Sequence, residues 1–71
     1  MPIRAKLKIA KIIIRFRREQ GLSQEKLARL ADVSNNTIIN IEAGKNQNPT
    51  MATLRKVAKA LDIPIDRLLW I

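Results

Sequence analysis

The 71-residue chain has no cysteine, no histidine and no tyrosine, and only one phenylalanine, one tryptophan, two glycines and six acidic residues. Without cysteine there is no disulfide and no thiolate metal site, and without histidine the commonest general base and metal ligand is missing. No catalytic residue, metal or cofactor is therefore expected. Charges interrupt every apolar stretch, so none approaches the run of about 20 residues that crosses a bilayer, and no secretory leader is evident. A cytoplasmic location is the expectation. A chain of this size buries only about 60% of its unfolded surface, which leaves room for one small domain over residues 1–71 and none for an enclosed active site.

What is plentiful is positive charge. Fourteen Lys and Arg against six Asp and Glu leave a formal charge of +8, a balance that favours a polyanionic partner, with DNA the first to consider. Arg4, Lys6, Lys8, Lys11, Arg15, Arg17 and Arg18 all lie in the first eighteen residues. The run Arg4 to Arg15 suits long-range attraction better than ordered contacts.

Helical signals recur along the chain. Ile9, Ile12, Ile13 and Phe16 fall at i, i+3, i+4 and i+7, the stripe of an amphipathic helix spanning about Arg4 to Gln20 that Gly21 ends. Ile14 lies about 100° off that stripe and is expected to be exposed. Ser23 can cap a second helix carrying Leu27, Ala28, Leu30 and Ala31, and Asp32 tolerates the left-handed backbone of a helix exit. Val33 follows as an apolar plug and Ser34 as a second cap, opening a helix from about Asn35 to Ala43 with Ile38 and Ile41 facing inward. Gly44 suits positive φ just past its end. Thr50 caps a fourth helix with Met51, Leu54, Val57, Ala58 and Leu61 inward. Pro64 presets a short fifth, through which Ile65, Leu68 and Leu69 close the core.

Two capped helices a few residues apart, about 23–43, read as a helix-turn-helix. The outward face of the second one, formed by Asn35, Asn36, Ile39, Asn40 and Ala43, carries no charge. A merely solvated face would carry Glu, Lys or Arg. Asparagine can instead pair with adenine N6 and N7, and an aliphatic group can meet a thymine methyl, so Asn35, Asn36, Ile39 and Asn40 are the candidate base-contacting residues. The competing explanation is that Asn, a poor helix former, sits near caps and turns for local reasons.

These residues resemble the phage-repressor, Cro-like (XRE) helix-turn-helix family over roughly Ile9 to Leu69. The resemblance is carried by GLSQEKLA at Gly21 to Ala28, DVSNNTI at Asp32 to Ile38, IEAGK at Ile41 to Lys45, and NPT...TLRKVAKAL...DRLL from Asn48 to Leu69. It implies an all-α, compact five-helix lambda-repressor-like DNA-binding domain, with its third helix in the major groove and its second across the backbone. It also implies that Gln24 holds a phosphate and braces the first base contact. Arg17 and Glu42 are implied as an ion pair joining helix 1 to the end of helix 3. The chain departs from the family in having Asp32 where Gly is usual and Ile39 at a usually polar site.

Gln24, Thr37, Lys45 and Asn46, beside free helix-terminal amides, are the candidate phosphate contacts; for Lys45 and Asn46 an ordinary polar turn is an equal alternative. The expected function is sequence-specific binding of double-stranded DNA by a transcriptional regulator, a repressor occluding its operator. The expected assembly is a homodimer on a partly palindromic site, since one such domain buries little. Helix 5, Trp70-Ile71, Ile14 and Leu30 could supply the dimer surface, although Trp70 could equally fold back on its own core. The alternative is an antitoxin or other partner-binding module of the same fold, holding a toxin or another protein through exposed apolar residues. A membrane-lying basic helix is set aside, because Ile9, Ile12, Ile13 and Phe16 are needed by the core.

Overall fold

The computed structural model describes the backbone of residues 2–46 and 48–68, and the side chains of 9–46 and 48–68. The expectations for Leu69, Trp70 and Ile71, and for the side chains of Arg4, Lys6 and Lys8, lie outside the described residues.

Among the described residues four α-helices follow one another: α1 (Pro2–Glu19), α2 (Gln24–Ala31), α3 (Asn35–Glu42) and α4 (Met51–Leu61). Among the described residues there is no strand. Each helix after the first starts on a hydroxyl cap: the Oγ of Ser23 accepts from the Lys26 amide, that of Ser34 from Thr37, and Thr50 Oγ1 from Thr53. These caps satisfy amides that have no partner within the helix, and each contributes about 1 kcal/mol.

Two helices end on the same device. Asp32 and Asp62 both adopt left-handed backbone, with φ 57° and 59°. The next residue, Val33 or Ile63, then returns its amide to the carbonyl of Ala28 or Ala58 at 3.0 Å. These back-bonds satisfy the last turn of α2 and of α4, and the apolar residue that makes them folds against the core.

The expected fifth helix is a correction. Beyond α4 the described residues form only a 3-10 turn over Ile65–Arg67. Pro64 lies in extended backbone at its start and has no side-chain acceptor to cap free amides, so the segment lacks the nucleus of an α-helix. Leu68 is nevertheless buried and closes the core from this side.

The core is built from Ile13, Leu27, Ala28, Ala31, Ile38, Ile41, Leu54, Val57, Ala58, Leu61 and Leu68, with Ile9, Ile12, Phe16, Val33 and Ile65 packed around it. Two stripe assignments change. Ile14 is half-buried rather than exposed, and Ala10 is buried, because α1 packs against both α3 and α4 and so hides a wider arc than one stripe. Met51, expected inward, is 44% exposed. As the first residue of α4, its side chain leans back past the helix start, where no preceding turn lies beneath it. Among the described residues no helix is long and apolar enough to cross a membrane.

Candidate nucleic-acid interface

The position of α3 is set from two sides. Ile38 and Ile41 are 0% and 2% exposed, anchoring its inner face in the core. At its start, Ser34 Oγ accepts from the Thr37 amide at 3.1 Å and meets Thr37 Oγ1 at 2.7 Å. At its end, Gly44 takes φ 79°, which lets the amides of Lys45 and Asn46 both return to the Asn40 carbonyl, at 2.9 and 3.0 Å. The loop after α3 is thus folded onto the helix that precedes it.

The outer face that results is uncharged. Asn35 and Asn36 are exposed, Ile39 and Asn40 are half-buried, and Ala43 is exposed. The only ionisable residue of α3, Glu42, turns away from this face: its side chain is 4% exposed. Lys45 and Asn46 are exposed just beyond, with the Asn46 Oδ1 taken by the Asn48 amide at 3.1 Å, so its carboxamide nitrogen is the end left to donate.

Glu42 turns in because Arg17 meets it. Arg17 Nε donates to Glu42 Oε2 at 2.7 Å and Nη2 to Oε1 at 2.9 Å, a two-point pairing between guanidinium and carboxylate, while Nη1 donates to the Leu22 carbonyl at 2.8 Å. The Arg17 pKa is raised above its ordinary value, first by the hydrogen bond to Glu42 and further by the attraction of its charge; burial opposes the shift. Gln24, at the start of α2, donates its Nε2 to Glu42 Oε1 at 2.9 Å. One carboxylate therefore joins α1, α2 and α3.

Sequence reasoning placed Gln24 at a phosphate but missed this bond to Glu42. It also missed Gln20, whose Nε2 donates to the Leu61 carbonyl at 2.6 Å and so satisfies the end of α4. Neither contact has a signature in periodicity, since each spans elements far apart in the chain. Arg15 and Arg67 lie over the Phe16 ring, 5.6 and 5.3 Å from its centre, which places two of the basic side chains in packing roles. Among the described residues no group of three or more acidic, His or Cys side chains could hold a metal.

Two short capped helices, a turn closed by left-handed Asp32 and an uncharged exposed face on the second helix define a helix-turn-helix domain. The chain belongs to the helix-turn-helix family, whose model matches residues 13–68. This is a family of DNA-binding transcription regulators and not of enzymes.

Solved structures similar to it include two regulators. The restriction-modification controller protein C.AhdI from Aeromonas hydrophila is 31% identical with a TM-score of 0.83, over 90% of this chain and 96% of that one. An HTH_3 family transcriptional regulator from Vibrio cholerae is 32% identical with a TM-score of 0.86, over 96% of this chain. The match spans only 38% of the Vibrio protein. A search of the curated proteins finds no match.

Proposed function

We propose that the chain represses transcription by covering an operator, with α3 in the major groove of double-stranded DNA. In this reading Asn35, Asn36, Ile39 and Asn40 meet base edges, and Gln24, Thr37, Lys45 and Asn46 meet phosphates. The observation that carries it is the uncharged, exposed asparagine face of α3 in a molecule of net charge +8. Cations elsewhere supply the general attraction to phosphate, while amides suit donor and acceptor patterns of base pairs.

Two copies on half-sites about one helical turn apart supply useful affinity, so the proposed operator is partly palindromic and the protein binds it as a homodimer. A cytoplasmic location accords with that partner. Binding of selected duplexes by the isolated chain, titrated across salt concentrations, tests the proposal. With about 6 to 10 phosphates neutralised per dimer, log affinity falls against log salt with a slope of about −5 to −9. Salt-insensitive binding, or equal affinity for all sequences, contradicts it.

A partner-binding module remains as a second reading, because Leu30 is 52% exposed beside an open hollow of about 470 Å³ lined by Ala31, Asp32, Lys56, Lys59 and Ala60. A protein such as a toxin is the occupant in that case. Specific operator binding by the chain alone decides for the regulator.

A further inference from the structure

The Arg17–Glu42 pair has a third member whose orientation it dictates. Glu42 Oε1 accepts from both Arg17 Nη2 and Gln24 Nε2, each at 2.9 Å, and Oε2 accepts from Arg17 Nε at 2.7 Å. A carboxylate only accepts hydrogen bonds, whereas a carboxamide has one donating end and one accepting end. Gln24 can therefore face Glu42 only with its nitrogen. Turned over, it would set its carbonyl oxygen against a carboxylate whose side chain is 4% exposed, where water does little to screen the repulsion. The carboxylate cannot swing away to relieve this, because Arg17 grips both its oxygens and is itself held by the Leu22 carbonyl at 2.8 Å.

We infer that Glu42, clamped by Arg17, is a positioning residue that selects the orientation of the Gln24 carboxamide and leaves its second N–H free to donate to a DNA phosphate oxygen. The terminal torsion of glutamine is otherwise broad, so an unanchored Gln24 gives up more side-chain freedom on binding. The part-buried pair thus serves the interface as well as the fold. This inference rests on the proposed DNA binding and goes beyond it by assigning Glu42, which touches no DNA, a role in a particular contact.

The test is a double-mutant cycle on a duplex selected from random sequence by the wild-type chain, read by affinity and by ethylation interference at each phosphate. All variants are compared at a temperature where circular dichroism shows them folded. Gln24→Ala weakens binding about threefold to tenfold, the worth of one hydrogen bond, and relieves interference at one phosphate. Glu42→Gln removes the acceptor-only partner and relieves interference at that same phosphate, and the double variant binds no more weakly than Gln24→Ala. Arg17→Lys exchanges the two-point grip for a single ammonium contact and so lowers thermal stability, yet it still holds the Glu42 carboxylate against Gln24, so that phosphate keeps its interference; a merely structural role for Glu42 would not separate these two variants.

Additive losses in the cycle, or an unchanged interference pattern in Glu42→Gln, overturn the inference. If Glu42→Gln does not fold, the side-chain amide protons of wild-type Gln24 decide by NMR: one retains its shift on addition of duplex while the other moves, whereas movement of both overturns it. Failure of the wild-type chain to bind any duplex instead overturns the proposed function.

Discussion

Replacing Arg17 with alanine isolates the interaction that joins α1 to α3. The substitution removes two hydrogen bonds to Glu42, at 2.7 and 2.9 Å, and one to the Leu22 carbonyl at 2.8 Å. Glu42 stays behind with its side chain 4% exposed and only Gln24 Nε2 as a partner. Stranding one charge of a buried pair costs about 3–5 kcal/mol, and because this pair is part-buried the lower end of that range applies. At about 4–8 °C per kcal/mol for a domain of this size, even the lower figure moves the melting temperature down by about 12–24 °C.

Arg15→Ala is the control: its pair with Glu19 has side chains 67% and 54% exposed and contributes about 0.5 kcal/mol, and its contact over the Phe16 ring adds about 0.5–1 kcal/mol, together still well below the loss at Arg17. Thermal denaturation followed by circular dichroism reads both variants. Because the pKa of Arg17 is raised in the folded state, its stabilisation is fully present below the ordinary arginine value and is lost only as pH rises through the higher folded one. The difference between wild type and Arg17→Ala is therefore not altered by titration of Arg17 at neutral pH. A melting temperature for Arg17→Ala that matches Arg15→Ala would refute the reasoning.

Three further outcomes are expected. Asn36→Ala, on the exposed face of α3, weakens binding to a selected operator by about 1–3 kcal/mol and relaxes the preference at one base pair, as read by competition with single-base variants of the site. Lys45→Ala weakens all sequences alike and reduces the magnitude of the salt slope by about 1, which a titration at several ionic strengths measures. Asp32→Val puts a β-branched residue at φ 57° and lowers stability by about 1–2 kcal/mol in chemical denaturation, while Asp32→Gly removes the backbone strain.

Much of the fold is legible because it depends on neighbours in sequence. A hydroxyl cap needs only the next three residues, so Ser23, Ser34 and Thr50 mark the starts of three helices, and Gly44 marks the end of α3. The exit at Asp32 can be read in the same way. Asp62 repeats it, with an apolar residue on either side in both cases, and that repetition is the signal that ends α4.

What is hidden depends on packing at a distance. The half-burial of Ile14 follows from α1 having two partners, and the bonds of Gln20 to Leu61 and of Gln24 to Glu42 cross 41 and 18 positions of the chain. The local pattern of the site, amides outward and Ile38 and Ile41 inward on α3, is visible from helical spacing alone. The brace behind it is not, apart from the Arg17–Glu42 pairing implied by family resemblance, because a buried glutamate at a helix end looks in sequence like any solvated one.

The central claim is that asparagines of α3 read base edges in the major groove. Its most direct test is the affinity of the wild-type chain and of Asn36→Ala for a selected operator in which each adenine in turn is replaced by 7-deaza-adenine, which lacks only the major-groove acceptor N7. The account predicts that one replacement weakens wild-type binding by about fivefold or more and leaves Asn36→Ala unaffected. Wild-type affinity that is indifferent to every replacement, or a loss that persists in Asn36→Ala, would contradict it.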